Sequence, residues 1–158
     1  RMSGGLSQLL RGKGDGSFEV VPVDESGLLV AGDAASLTQA DLNGDGLLDF
    51  VVARNNGPVS VFQSKQTSER NLSIRLRGSK GNTMAIGARV RLIFESGKMS
   101  LLEVSAGGGY LSQSTSDLHF GVPNGETPSK VMVIWSNGSQ SEHQLDRSHG
   151  PFVIVEGK

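Results

Sequence analysis

From Asn71 onward, apolar and polar residues alternate. Leu72, Ile74 and Leu76 fall on one side, and Ser73, Arg75 and Arg77 on the other. Ala88, Val90, Leu92 and Phe94 repeat the pattern against Arg89, Arg91 and Glu95. A period of two is that of a half-buried β-strand with one wet face. The turn-forming "ESGK" of Glu95–Lys98 leads into a third strand over roughly Leu101–Ser105, followed by strands at Leu118–Val122, Val131–Trp135 and Phe152–Glu156. Every residue of Val131–Trp135 is apolar, which predicts a central strand buried on both faces.

Before Asn71 the pattern is more broken. "RGKGDGSFEVVPV", Arg11–Val23, reads as a strand end, a Gly-Asp-Gly turn and a second strand from Phe18. The apolar runs Leu47–Ala53 and Val59–Phe62 flank "RNNGP", a turn cluster short enough to close a hairpin. Polar Gln63–Arg70 is the best boundary in the chain, and no long amphipathic helix is visible. These elements predict an all-β fold.

Composition agrees. Glycine accounts for 22 of 158 residues without a collagen-like period or a linker run, which fits many short strands joined by tight turns. No apolar run reaches membrane-spanning length. The absence of cysteine excludes disulfides, thiol catalysis and Cys-ligated zinc. Net charge is −1, with acidic residues in excess up to Gln66 and basic residues in excess after it, unlike the basic balance of a nucleic-acid-binding protein. No secretory leader follows Arg1, and the sequence reads as a fragment of a longer chain.

One motif carries metal chemistry. "DLNGDGLLD", Asp41–Asp49, is D-x-N-x-D-G-x-x-D. Calcium takes six to eight oxygen ligands in flexible geometry. Asp41, Asn43 and Asp45, at every second position, can turn side-chain oxygens toward one centre. Gly46 permits the reversal that offers the Leu47 carbonyl, and Asp49 closes the loop. An EF-hand is excluded, because its twelfth position would need Glu and holds Val52, and because a β run follows instead of a helix. The alternative is a metal-free Asx turn.

A loop of this form feeding a strand resembles the FG-GAP/VCBS repeats of integrin-like β-propellers. "GDAASLTQADLNGDGLLDFVVAR" is similar to the loop-and-strand half of such a repeat, and "LLRGKGDGSFEVV" to the strand and turn before it. Residues 1–66 then form the C-terminal end of a repeat region, too short to close a propeller, and further blades of the full-length chain are expected partners. Residues 71–158 resemble the ASPIC/UnbV domain, through Asn82, Ile86, Gly87, Ala88 and Val90, through "GGGYLSQ" (Gly107–Gln113) with Leu118, His119, Phe120 and Gly121, and through "VMVIWSNGSQ". Val122-Pro123 and Ser136-Asn137 depart from the family pattern at two turns. The resemblance implies partial propeller-type hairpins followed by a β-sandwich or barrel. It also implies an extracellular, cell-surface or periplasmic accessory module with no catalytic residues to carry over.

Other chemistry is weaker. "SAGGGY" lacks the Lys-Ser/Thr ending of a phosphate loop and reads as a crossing where side chains do not fit. His119, His143 and His149 have no metal-ligand spacing; His119 is expected on the outer sheet face, hydrogen-bonded, and Tyr110 and Trp135 in the core. Asn71-Leu72-Ser73 and Asn137-Gly138-Ser139 are glycosylation sequons, without meaning in a bacterial protein, which the lack of cysteine favours. Arg75, Arg77, Arg89 and Arg91 fall on the polar faces of two strands that could pair, a candidate polyanion site. The function expected is a non-enzymatic calcium-binding interaction module with an extracellular protein or polysaccharide partner. The alternatives are part of a hydrolase acting on extracellular polymer, or a polyanion- or carbohydrate-binding module.

Overall fold

The computed structural model describes residues 5–65, 70–145 and 151–157. Twelve strands and one four-residue helix, α1 (Val23–Ser26), make up the described secondary structure. The fold is all-β, as the alternation predicts.

The first 65 residues carry two small sheets. β1 (Leu9–Gly12) and β2 (Phe18–Val21) form a hairpin around the Gly-Asp-Gly turn, with Gly12 opposite Phe18. Asp15 builds that turn by accepting the Ser17 hydroxyl at 2.6 Å and the Ser17 amide at 2.9 Å. β3 (Ala34–Ala40), β4 (Asp49–Arg54) and β5 (Ser60–Phe62) form an antiparallel sheet in that order. The β4–β5 turn is the expected "RNNGP", with Asn56 in the left-handed region at φ 54°, a conformation Asn tolerates.

The second part has two sheets around one core. β6 (Asn71–Arg77) lies between β9 (Leu118–Gly121), antiparallel, and β12 (Phe152–Val155), parallel. The other sheet runs β11 (Gln140–Gln144), β10 (Pro128–Ile134), β7 (Arg89–Phe94), β8 (Met99–Glu103). Ile74, Leu76, Leu118, Phe120 and Ile154 from the first sheet meet Val90, Leu92, Phe94, Val131 and Val133 from the second in a single buried cluster. The described strands form a two-sheet sandwich and do not close into a barrel. β10 is central, as its apolar run predicts, with Val131 and Val133 fully buried and Met132 and Ile134 half-buried.

Loop residues shared with the resembled family have local structural reasons. Asn82 clamps its own loop: its Nδ2 donates to the Ile86 carbonyl at 2.9 Å and its Oδ1 accepts the Ile86 amide at 2.9 Å. The same Nδ2 donates to Ser136 Oγ at 3.2 Å, so the departure at Ser136 supplies an acceptor to the loop. Trp135 is buried, with its indole N–H on Ser141 Oγ at 3.0 Å.

The expectations for the arginines and for Tyr110 need correction. The arginines do not share a face. β6 pairs with β9 and β12, and β7 with β8 and β10, so Arg75 and Arg77 lie in one sheet and Arg89 and Arg91 in the other. Arg75 is also engaged by Asp117 through two hydrogen bonds of 2.8 and 2.5 Å. That bond and the carboxylate's charge raise the guanidinium's pKa above its already high ordinary value. Tyr110 is not in the core but 79% exposed. It stands at the tip of a tight turn bridged between Gly109 and Ser112.

Candidate metal centre

The loop from Asp41 to Asp49 joins β3 to β4. Gly44 and Gly46 have φ of 78° and 82°, a region open to glycine and strained for other residues. The chain therefore reverses twice within a few residues and wraps around the first carboxylate. Asp41 Oδ1 accepts the amides of Gly44 (2.7 Å) and Asp45 (3.1 Å), and Oδ2 accepts that of Gly46 (2.9 Å). Asn43 Oδ1 also accepts the Asp45 amide at 3.1 Å, and Asn43 Nδ2 donates to Asp45 Oδ2 at 2.8 Å. Asp45 Oδ1 accepts the Leu47 amide at 2.8 Å. Hydrogen bonds thus link Asp41, Asn43 and Asp45 within one loop.

Asp49 differs. It is fully buried, with Oδ2 on the Leu42 amide at 3.0 Å and Oδ1 on the Ser64 amide at 2.9 Å. Both oxygens thus tie backbone together, at the base of the loop. Leu47 is buried too.

The donor set fits calcium chemically. Each of the four side chains offers hard oxygens, Asn43 through its Oδ1. A carboxylate has about four lone-pair positions, so Asp41 retains capacity beyond its three amides. Among the described ion pairs, none reaches Asp41, Asp45 or Asp49. Among the described residues, no three His, Cys, Asp or Glu side chains converge tightly enough to hold a metal by themselves. An ion here would also need the Asn43 oxygen and a backbone carbonyl.

Sequence reasoning missed what surrounds the loop. Asn71, the first residue of β6, donates its side-chain amide to the Gly46 carbonyl. Ser64 adds a hydroxyl bond to the Leu48 carbonyl beside its amide bond to Asp49. On the neighbouring strand, the segment after Tyr110 lies along β3. Ser112 Oγ donates to the Leu37 carbonyl (2.7 Å), Thr38 Oγ1 to the Gln113 carbonyl (2.6 Å), the Gln39 amide to Ser114 Oγ (3.2 Å) and the Thr115 amide to the Gln39 carbonyl (2.9 Å). A Cβ on Gly109 would stand 2.1 Å from Ser112 Oγ, so of the three glycines in "SAGGGY" this one is the close crossing.

This arrangement, a glycine-dependent segment of the sandwich laid on the last strands of a repeat, agrees with the sequence comparisons. A family model described as ASPIC and UnbV matches residues 78–158. The chain belongs to the ASPIC and UnbV family. A model of the FG-GAP-like repeat matches residues 3–52, ahead of it in the chain. The order, repeat then ASPIC/UnbV domain, is the one the motifs indicate, and it marks an extracellular-type repeat protein. No curated protein matches the chain.

The remaining candidates do not assemble into a second site. His119 lies on the face opposite Leu118 and Phe120, opposite Ser73 in the register, but both its ring nitrogens are buried without hydrogen-bond partners among the described residues, contrary to the expected bonded histidine. His143 Nε2 lies 2.9 Å from the Ser141 hydroxyl that Trp135 also uses. His149 is outside the described residues, as are residues 66–69 of the expected boundary. No described helix is long and apolar enough to cross a membrane.

Proposed function

We propose that this chain is a non-catalytic, extracytoplasmic interaction and scaffolding module, and that its FG-GAP-like repeat holds one calcium ion at Asp41, Asn43, Asp45, Asp49 and the Leu47 carbonyl. The observation that carries this reading is the loop itself: Asp41, Asn43 and Asp45 held in one turn by backbone N–H groups, with Asp49 at its base, and no basic partner for the three carboxylates among the described ion pairs. Bound calcium would supply the missing positive charge and a fixed loop shape. It would be a structural ion, with dissociation constants of roughly 0.1–1 mM expected for extracellular modules. The exposed Tyr110 and Leu111, 79% and 78%, supply a presented contact for an extracellular protein or polysaccharide partner. The separated arginines, with Arg75 already paired, weigh against a polyanion site on one strand face.

Thermal unfolding tests the ion. At ten times the dissociation constant, calcium stabilises the folded state by RT ln 11, about 1.4 kcal/mol. The melting midpoint should rise by roughly 3–5 °C. Magnesium should give much less, chelator should reverse the shift, and Asp45→Ala should abolish it. A midpoint indifferent to calcium and chelator, with no heat on titration, returns the loop to a metal-free Asx turn.

A further inference from the structure

The two ends of the segment between the repeat and the sandwich are both fastened to this one loop. On the repeat side, Ser64 gives its amide to Asp49 Oδ1 at 2.9 Å and its hydroxyl to the Leu48 carbonyl. On the sandwich side, Asn71 reaches back to the Gly46 carbonyl. Gly46 is also the residue whose amide closes on Asp41 Oδ2 at 2.9 Å. One peptide unit away from the candidate ligands, therefore, the loop changes hands from one unit to the other. β3, which enters the loop, carries the 112–115 segment of the sandwich along its edge.

From this placement we propose that the 41–49 loop is the latch that seats the ASPIC/UnbV domain on the repeat, with Asp49, Ser64 and Asn71 as its positioning residues. Loop shape and domain seating are then one equilibrium. Asp49 accordingly has a role beyond that of a ligand. Buried and bonded on both oxygens, it fixes where the chain leaves the repeat. A buried carboxylate left unpaired is costly, so Asp49 does not readily give up either contact. Where the ion is concerned the inference rests on the calcium reading above. An ion that favours the closed loop must also favour the seated domain, and by reciprocity seating must tighten the ion's binding.

Amide hydrogen exchange on the full chain, with calcium and with chelator, tests both parts. The Gly44, Asp45 and Gly46 amides report the loop, and the Thr115 amide, bonded to the Gln39 carbonyl at 2.9 Å, reports seating. Calcium is expected to slow all four, the Thr115 amide by about fivefold or more. Asn71→Ala should speed Thr115 exchange even in chelator. It should also remove the calcium effect at Thr115 and weaken calcium binding by about fivefold. Asn71→Leu, close to Asn in shape but without the donor, should behave alike, and unchanged strand content by circular dichroism checks that both variants fold. Slowing confined to the loop amides, or Thr115 exchange and calcium affinity indifferent to both variants, overturns the latch and leaves the calcium reading standing. No slowing anywhere overturns the calcium reading, and the ion's part in the latch with it. Faster Thr115 exchange of the variants in chelator would then still support the latch.

Discussion

Ile74, Ala88, Val90, Leu92, Val131 and Val133 in the ASPIC/UnbV domain have no exposed surface, whereas Leu10, Phe18, Val20, Val59 and Val61 in the repeat are each more than half exposed. Both regions are built from short strands with tight glycine turns. They differ in what faces the strands. In the domain each sheet's apolar side meets the other's. In the repeat, sheets of two and three strands bury little beyond Val21, Val30, Leu47 and Val52. A repeat unit ordinarily buries its faces against its neighbours. The described neighbour here is the domain, and the described hydrogen bonds between them are backbone and polar side-chain bonds. A net hydrogen bond contributes only about 1 kcal/mol, and burying an apolar side chain about 1.5–3 kcal/mol. The repeat should therefore be the dependent partner.

The largest effect expected from this contrast is on separation. Asn71–Lys158 expressed alone should fold cooperatively into a strand-rich domain, and residues 1–66 alone should lack a sharp unfolding transition. The chain would thus divide between Gln63 and Arg70. Circular dichroism with urea titration reads both pieces. A molten 71–158 fragment beside a well-behaved full chain would mean that the two parts share one core.

A smaller effect compares single side chains. Leu92→Ala, at a position with no exposed surface, should cost about 2–5 kcal/mol through lost burial and the cavity left behind. Val61→Ala, at a side chain 59% exposed, should stay within about 0.5 kcal/mol. Similar losses at both positions in urea unfolding of the full chain would show that the β5 face is covered in solution, and the asymmetry would then disappear.

The same contrast explains what was legible in the sequence. Strands with one buried face announce themselves by alternation, and β6, β7 and β9 fall where it places them, while β10 falls on its continuous apolar run. β3 and β11 do not. "AASLTQA" has small residues, and "QSEHQ" has no apolar side at all. β11 exists because all five of its residues pair with β10 and because Ser141 accepts the Trp135 indole. Alternation also says nothing of partners. Alternation puts the arginines of β6 and β7 on the polar faces of two strands that could pair, yet β6 pairs with β9 and with β12, a strand from the other end of the domain. The loop's residue types and glycines were readable because that information is local. The roles of Ser64 and Asn71 were not, since their contacts to it span 15 to 25 residues. Tyr110 read as core because its segment reads as strand. The Gly109–Ser112 turn instead points outward, with Leu111 in the left-handed region at φ 51°.

The smallest predicted effect sets two carboxylates against each other in acid. Asp15 in the repeat has its pKa lowered mainly by the Ser17 hydroxyl and then by the Ser17 amide, two residues away. Glu126 in the domain has its pKa lowered first by the Ser96 hydroxyl at 2.5 Å and then by Lys98 at 2.9 Å, contacts that exist only when the β7–β8 turn meets the 123–126 turn. A carboxyl whose folded pKa is depressed contributes stability above its unfolded pKa and loses it as pH falls through the folded value. For Glu126 the unfolded chain has no such contacts, so its contribution should be lost as acid is added below the ordinary glutamate range. For Asp15 the contact is local enough to survive in part when tertiary structure is lost, which leaves less difference between states and a weaker pH dependence. Side-chain NMR titration of the full chain, native and in enough urea to unfold it, measures this directly. Glu126 should return to the ordinary range on unfolding, Asp15 should return less far, and Ser96→Ala should raise Glu126 in the native chain alone. Equal recovery of both groups in urea would show that the Asp15 turn depends on the folded repeat as fully as Glu126 depends on the sandwich.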